Sequence, residues 1–282
     1  MKSAIVTRFA PSPTGYLHLG HAYAAIFAET QARLAGGLFI LRIEDIDVSR
    51  CKAEFEEAIY EDLRWLGLNW ESPVRRQSAH LSDYGSALER LKKLSLIYPC
   101  FCTRGEIKAE IERAGGAPHG PEGPIYPGTC KHLPNDERDN RINNGISYAL
   151  RLDLAKATEI TGDLSWQDQT LGNQKTKLHE FGDIVLARKD IATSYHLSVT
   201  VDDALQGVTL VTRGEDLADA TGIHRLLQSL LEYDVPQYMH HKILTNDDGK
   251  RFAKRDQSVT LRSLRAAGKT PTDIRAMIGL SS

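Results

Sequence analysis

Two histidines that stand three positions apart, in the stretch RFAPSPTGYLHLGH, are the first residues of this chain whose types and spacing suggest chemistry. His18 and His21 lie where a turn rich in glycine and proline leads into apolar residues at helical spacing. The N–H groups at the start of a helix attract anions, and imidazoles on its first turn can add hydrogen bonds to phosphate oxygens. These residues alone support a phosphate site and a plain capped helix about equally.

Three of the four cysteines form a second candidate site. Cys100, Cys102 and Cys130 lie in one segment that is rich in glycine, proline and charge. A structural zinc ion takes four ligands, so the spacing predicts a zinc-stapled segment with His119 or His132 as the generic fourth ligand. The alternative is a set of thiols that bind no metal. The fourth cysteine, Cys51, lies in a predicted helix, and we assign it to the core.

Length and composition set the limits for these sites. The chain has 282 residues, 41% of them hydrophobic, which is enough for a substantial core. A formal net charge of −2 does not indicate a nucleic-acid binder, although it leaves room for a local basic face. No apolar run is long enough to span a membrane, and the start of the chain lacks the apolar core of a signal peptide. We therefore expect a cytoplasmic protein with no membrane partner.

The elements that must position these residues alternate along the chain. SAIVTRF and LFILR read as strands, and helices are predicted from Leu19 to the Gly36-Gly37 pair, from a cap at Ser49 to Gly67, and from Ser82 onwards. This alternation predicts an α/β fold with a Rossmann-like parallel sheet, in which the first strand ends beside the start of the next helix.

The predicted domain organisation interrupts this fold once. Residues 1–98 and 146–245 form the two halves of the catalytic domain, and 99–145 is an inserted zinc-binding segment. Residues 246–282 contain a polar, basic loop and a tail of two short helices, the second of which starts at Thr270-Pro271.

Four ordered blocks of the sequence resemble class I aminoacyl-tRNA synthetases, and their glutamyl/glutaminyl branch in particular. HLGH, within RFAPSPTGYLHLGH, resembles the HIGH motif of these enzymes. It is followed in family order by RIEDID, by VDDALQGVTLVTRGEDL and by GKRFAKR, which stands where the KMSKS loop belongs. The blocks run from residue 8 to residue 255, so the resemblance covers most of the chain.

The resemblance implies that L-glutamate and ATP react to give glutamyl-adenylate and pyrophosphate, with Mg²⁺ shielding the phosphates. The implied catalytic residues are His18, His21 and Lys254, and the implied ATP-binding residues are His18, Gly20, His21, Lys250, Arg251 and Lys254. The loop departs from the family pattern, because Arg251 replaces the first lysine of KMSKS and Ala253 replaces its serine. The loop therefore keeps its positive charge but lacks the hydroxyl of that serine. On its own, this stretch reads better as a solvated basic hairpin.

Glutamate recognition needs cations for the side-chain carboxylate and an anion for the α-amino group. Arg8 and Arg213 each end a predicted strand near the same crevice, and Glu44 follows LFILR. By resemblance, the glutamate-binding positions are Arg8, Phe9, Ala10, Pro11, Ser12, Glu44, Tyr195 and Arg213. Any one of these alone is more often part of a surface salt bridge, so the prediction rests on the set.

The cysteine segment resembles the zinc module of glutamyl-type synthetases. That pattern implies one structural zinc ion held by Cys100, Cys102, Tyr126 and Cys130, with a phenolate in place of the generic histidine.

The short tail resembles truncated members of the family, because full-length enzymes continue beyond the KMSKS loop into anticodon-reading helical domains. This implies tRNA-independent activation of L-glutamate and its transfer to the queuosine base at the wobble position of tRNA(Asp). We expect a monomer. The alternatives are a minimal synthetase that charges a tRNA 3′ end and a catalytically weak paralogue that binds adenylate-like ligands.

Overall fold

The computed structural model describes residues 4–113, 119–121, 123–244 and 259–280. Its strands are β1 (Val6–Phe9), β2 (Leu38–Ile43), β3 (Glu71–Arg76), β4 (Ile97–Cys100), β5 (His119–Gly120), β6 (Gly123–Pro124), β7 (Ala149–Leu152), β8 (Ser165–Asp168), β9 (Gly172–Lys175), β10 (Val185–Ala187), β11 (Leu210–Gly214) and β12 (Gln237–His241). Its helices are α1 (Leu19–Leu34), α2 (Ala53–Trp65), α3 (Leu81–Lys93), α4 (Arg104–Arg113), α5 (Asn135–Asn143), α6 (Leu154–Thr161), α7 (Tyr195–Leu205), α8 (Ala220–Leu230), α9 (Leu261–Ala266) and α10 (Pro271–Met277).

Parallel strands form the centre of the molecule. β1, β2 and β3 pair in parallel in that order, and β11, β12 and β8 form a second parallel set that β9 extends in antiparallel fashion. The two sets meet where Thr209 N–H donates to the carbonyl of Val6 at 3.0 Å. Both β1 and β11 begin at this contact, so their carboxyl ends reach the same edge. The predicted α/β fold with a parallel sheet is confirmed.

Helix α1 forms as its sequence predicts. Its buried positions, among them Leu19, Ala22 and Ile26, recur at three to four residues and belong to the core cluster of β1 and β2. Gly36 takes a φ of +61° just beyond the helix, and a Cβ on Gly37 would lie 2.0 Å from the carbonyl oxygen of Ile5. The two glycines therefore end the helix and allow β2 to pass close to β1.

Two local predictions about the next segment are wrong. Helix α2 begins at Ala53 with Lys52 as its N-cap, because the hydroxyl of Ser49 donates to Asp47 instead, at 2.6 Å. Cys51 lies in the turn before α2 and is only half-buried, so it does not belong to the core.

The middle of the chain is more regular than its sequence suggests. β4 pairs antiparallel with β7, so the segment between Cys100 and Ala149 begins and ends at neighbouring positions. Helices α4 and α5 lie in this interval and have no buried residues, and a helix without a buried face carries no apolar period. The predicted unit boundaries at 98, 145 and 245 stay predictions.

The last described residues return to the start of α1. The backbone of Thr260 forms a β-bridge with His18, and Leu261 N–H donates to the carbonyl of Leu17 at 2.8 Å. Leu261 is fully buried in the cluster that contains α1. Thr270 caps α10 with Pro271 in its first turn, as predicted. No helix among the described residues has both the length and the apolarity that crossing a bilayer requires.

A buried carboxylate joins α2 to this tail. Asp62 is 0% exposed, and none of the described groups donates a hydrogen bond to its oxygens; Arg265 NH2 is 3.8 Å from Oδ1. Burial raises the pKa of Asp62 to about 6, against the attraction of Arg265. A folded-state pKa above the unfolded value means that the folded chain loses stability as the pH rises from about 4 through 6.

We therefore predict that Asp62→Asn raises the free energy of unfolding at pH 8 by about 1–3 kcal/mol, with little gain below pH 4. Urea denaturation across this pH range measures the effect. The matched control is Glu61→Gln, since Glu61 also pairs with Arg265, at 3.0 Å, but is 61% exposed. It should change stability by less than about 0.5 kcal/mol. An Asp62→Asn gain that does not vary with pH would contradict the assignment.

Candidate active site

His18 and His21 cap helix α1 and each other. The N–H of Gly20 donates to His18 Nδ1 at 3.1 Å, and the N–H of His18 donates to His21 Nδ1 at 3.2 Å. The ring centroids are 3.8 Å apart. A neutral imidazole that accepts at Nδ1 carries its proton on Nε2, so both rings are fixed as Nε2–H donors. Backbone capping thus makes this helix start a pair of hydrogen-bond donors, which is what a phosphate site needs.

The basic loop that is predicted to act with these histidines lies outside the described residues, together with its Lys250, Arg251 and Lys254. Its flanks are described. The ring of His241 packs against Tyr23 of α1 at 4.9 Å between centroids, and Thr260 pairs with His18. Both flanks are therefore held against α1 or its cap.

The other predicted residues gather at the carboxyl ends of the parallel strands. Arg8 Nε donates to Asp203 Oδ1 at 3.1 Å, and Arg42 NH1 donates to the same oxygen at 2.8 Å. Arg42 NH2 also donates to Glu44 Oε1 at 3.3 Å. Neither Arg42 nor Asp203 was predicted as a site residue. Arg42 is a buried residue of a strand, and Asp203 lies on a helix that is buried on nearly all sides, so neither has a distinctive spacing in the sequence.

Mutual electrostatic effects indicate that four of the predicted residues lie near one another, in a buried region that we call the pocket. Burial raises the pKa of Tyr195, and the charges of Arg213, Glu44 and Arg8 act on the phenol. Burial also raises the pKa of Glu44, against the attraction of Arg42 and Arg8.

The backbone segment that precedes the histidines lies beside this pocket. The N–H of Glu44 donates to the carbonyl of Pro11 at 3.0 Å, which holds residues 9–12 alongside Glu44. Within that segment Phe9 is buried in the core, whereas Ser12 is exposed. The assignment of these residues to glutamate binding stays a prediction.

Arg213 is held by neutral groups. Its Nε donates to His240 Nε2 at 3.2 Å, its NH1 lies 3.1 Å from His224 Nδ1, and its NH2 donates to the hydroxyl of Thr221 at 2.5 Å. Burial and the adjacent guanidinium keep the pKa of His224 well below its ordinary value. Arg213 therefore offers its charge to the pocket, where a carboxylate can bind it.

A cavity of about 830 Å³ has both Tyr195 of the pocket and residues of the cysteine segment among its lining residues. His196 lies next to Tyr195 in that lining, and the cysteine segment contributes Cys102 and Tyr126. Its charged lining residues are Asp47, Arg50, Arg104, Arg151, Asp183, Arg188, Lys189 and Asp190. The cavity has the size of a ligand pocket, and its lining contains charged residues of both signs.

The three clustered cysteines converge. The Sγ atoms of Cys100, Cys102 and Cys130 all lie within 4.8 Å of one another, and the hydroxyl of Tyr126 is 3.3 Å from Cys100 Sγ and 3.7 Å from Cys102 Sγ. Sulfurs around one zinc ion are about 3.8 Å apart, so this set could hold a metal. His132 is not part of the group, and the side chain of His119 lies outside the described part of the chain.

The environment of the sulfurs is uneven. Burial raises the pKa of Cys102 to about 11. Burial also opposes ionisation of Cys130, but the N–H of Phe101 and hydrogen bonds from Tyr126 and Cys102 outweigh it, so the pKa of Cys130 lies below its ordinary value. Cys130 is therefore ionised for metal binding more easily than Cys102.

Comparisons with known proteins identify the family of this chain. Residues 4–281 match the family model described as tRNA synthetases class I (E and Q), catalytic domain. A protein of Rhodobacter capsulatus named glutamyl-Q tRNA(Asp) synthetase is 50% identical over 283 residues, which cover 98% of this chain and 100% of that protein. A protein of the same name from Symbiobacterium thermophilum is 43% identical, over 95% of this chain and 83% of that protein.

The chain belongs to the glutamyl-Q tRNA(Asp) synthetases, within the class I tRNA synthetase family. The resemblance stated from the sequence is thereby confirmed, and the protein is a ligase of that type.

Glutamate–tRNA ligases are less similar to this chain. The glutamate–tRNA ligase of Aquifex aeolicus is 38% identical over 95% of this chain, which spans 55% of that protein. The structure of a glutamate tRNA ligase from Elizabethkingia meningosepticum, in complex with its amino acid, superposes with a TM-score of 0.82 at 27% identity. That match covers 99% of this chain and 61% of the solved one.

The capping geometry of α1 predicts how His18 variants behave. His18→Ala removes the N-cap acceptor and should lower the free energy of unfolding by about 1 kcal/mol. His18→Asn keeps a side-chain acceptor at the cap and should stay within about 0.5 kcal/mol of the parent. Urea denaturation distinguishes the two. Equal losses in both variants would show that the imidazole stabilises α1 by packing rather than by capping.

Proposed function

We propose that this chain activates L-glutamate with ATP in the absence of tRNA and transfers the glutamyl group to the queuosine base at the wobble position of tRNA(Asp). The observation that supports the proposal is that Arg8, Glu44 and Arg213 are largely buried near one another, close enough for their charges to act on one phenol, that of Tyr195. Its guanidinium groups suit the side-chain carboxylate of glutamate, and the carboxylate of Glu44 suits the α-amino group. The relatives named glutamyl-Q tRNA(Asp) synthetase support the choice of acceptor.

In the first step, the α-carboxylate oxygen of glutamate attacks the α-phosphorus of ATP, and the bond to the leaving pyrophosphate breaks. The protein mainly positions the reactants and stabilises the developing charge. His18 and His21, with their Nε2–H groups as donors, suit the phosphate oxygens. Mg²⁺ bound with the nucleotide neutralises part of the phosphate charge.

Lys254 would supply a further cation for the pyrophosphate, with Lys250 and Arg251 as ATP contacts. Its position in the chain supports this role, because Thr260 is paired with His18 and lies six residues from Lys254. Six residues span at most about 20 Å, so the ammonium can reach the histidine pair.

In the second step, a hydroxyl of the cyclopentene ring of queuosine attacks the acyl carbon and AMP leaves. The cavity of about 830 Å³ beside Tyr195 supports entry of an unstacked base, and its arginines suit the flanking phosphates.

The decisive assay supplies radiolabelled L-glutamate and ATP with four RNAs: tRNA(Asp) with queuosine, tRNA(Asp) without it, queuosine-containing tRNA(Asp) that ends in a 2′,3′-dideoxy nucleotide, and unmodified tRNA(Glu). We expect label on the first and third only. Label on tRNA(Glu), or label lost with the terminal hydroxyls, would instead identify an enzyme that charges 3′ ends.

His18→Asn provides the matched variant for the activation step. It should reduce glutamate-dependent pyrophosphate exchange by about 100-fold or more while the fold is retained. Exchange at the parental rate in this variant would remove His18 from the reaction. The absence of exchange from the parent would favour a protein that only binds adenylate-like ligands.

We also propose that one structural Zn²⁺ is held by Cys100, Cys102, Cys130 and Tyr126. The contacts between the Tyr126 hydroxyl and two of the sulfurs support the fourth ligand. When bound, the metal would fix a segment whose helices have no buried face of their own. Monomeric state and cytoplasmic location stay predictions.

The zinc proposal predicts about one equivalent of zinc per chain by metal analysis. Cys130→Ser should lose that zinc and lower the melting temperature, and Tyr126→Phe should weaken zinc binding by about tenfold or more. The matched control is Cys51→Ser, since Cys51 lies outside the sulfur cluster. Equal zinc content in Cys130→Ser and Cys51→Ser would refute the proposed ligand set.

A further inference from the structure

The two arginines of the pocket have different surroundings. Arg8 is paired with the carboxylate of Asp203 at 3.1 Å. For Arg213, no carboxylate of the described residues lies within ion-pair distance of the guanidinium, and its three polar contacts are His240, His224 and Thr221. Arg213 is only 6% exposed, so little water can reach the guanidinium to stabilise its charge in place of a carboxylate.

We propose that Asp168 and His240 are positioning residues that hold Arg213 in one orientation with its charge uncompensated, and that they thereby set the preference of this site for an acidic side chain over its amide. This inference rests on the glutamate activation proposed above.

The orientation begins at Asp168, at the end of β8. Its Oδ1 accepts from the N–H groups of Thr170 and Leu171 at 2.8 and 2.9 Å, and its Oδ2 lies 2.8 Å from His240 Nδ1. Asp168 is 0% exposed, and although burial opposes it, the hydrogen bond with His240 and the two backbone donors keep its pKa below the ordinary value. A carboxylate can only accept, so His240 carries its proton on Nδ1.

The tautomer of His240 then determines what Arg213 meets. With the proton on Nδ1, Nε2 is an acceptor, and it receives the Nε–H of Arg213 at 3.2 Å. Burial and the guanidinium both lower the pKa of His240, which keeps the ring neutral. Trp166 and Tyr238 flank the ring at 5.5 and 6.1 Å between centroids, so it has little freedom to turn.

A second pair of side chains, His224 and His196, lies on the other side of Arg213. His224 Nδ1 accepts from the guanidinium, and its Nε2 lies 3.2 Å from Nδ1 of His196. The guanidinium is therefore fully oriented by acceptors that carry no charge. A ligand carboxylate supplies the missing anion, whereas an amide of the same shape leaves a buried cation without one.

The first variant that tests this is Asp168→Asn. The asparagine oxygen still accepts from Thr170 and Leu171, but the amide N–H₂ now faces His240 Nδ1. The ring must then accept there and move its proton to Nε2, where it opposes the Nε–H of Arg213. The loss of one charge-assisted hydrogen bond predicts a KM for glutamate about tenfold higher or more, with the KM for ATP within about threefold.

The second pair of variants replaces His240. His240→Gln presents a neutral oxygen near the position of Nε2 and should restore part of the glutamate affinity, whereas His240→Leu should not. The matched control for loss of a buried carboxylate is Asp153→Asn. Asp153 is 5% exposed and caps α6, and among the described residues its side chain pairs with Lys131 rather than with Arg213.

The readout is glutamate-dependent pyrophosphate exchange, with L-glutamine as competitor and with calorimetric titration of both amino acids. We expect Asp168→Asn and His240→Leu to reduce the ratio of glutamate to glutamine affinity, and Asp153→Asn to lower only the melting temperature. An unchanged ratio in Asp168→Asn, while the parent exchanges normally, would overturn this inference alone. A parent that binds neither amino acid and supports no exchange would overturn the proposed function as well.

Discussion

One carboxylate, that of Asp203, holds the centre of this molecule together. Its Oδ1 accepts from both Arg8 and Arg42, and Arg42 in turn reaches Glu44. These side chains come from β1, from β2 and the residue that follows it, and from α7. Removing one member would leave an uncompensated charge in the interior, at a cost of about 3–5 kcal/mol. The same contacts that compensate these buried charges also hold Arg8 and Glu44 in place.

The neighbouring Asp202 extends this network away from the pocket. It accepts from Arg75 at 2.7 Å, from Gln77 at 2.8 Å and from the hydroxyl of Tyr84 at 2.9 Å, and it is 0% exposed. The two adjacent aspartates of α7 therefore share an ion pair with Arg42, and Asp202 also joins α7 to β3 and α3. Because both aspartates are buried with the apolar residues of α7, its polar residues do not mark an exposed face, and its sequence shows no amphipathic pattern.

The sequence predicted the elements whose signals are local. The apolar period of α1, the glycine pair after it and the Thr-Pro start of α10 were sufficient to place those helices. Arg8, Glu44 and Arg213 could be named because each lies at or just beyond the end of a strand, where parallel strands bring side chains together. The cysteine cluster followed from spacing in the same way.

The rest depended on contacts between distant residues. Asp168 and His240 are 72 positions apart, and neither has a neighbour in sequence that marks it. Helices α4 and α5 escaped prediction because they bury nothing, and the Ser49 cap failed because its hydroxyl bonds to Asp47. In each case, tertiary packing rather than local propensity decided the outcome.

The bridge between His18 and Thr260 links two helix starts that are far apart in the sequence. It joins residues 242 positions apart, the N-cap of α1 and the N-cap of α9. A substitution that weakens this bridge therefore disturbs the beginnings of both helices together.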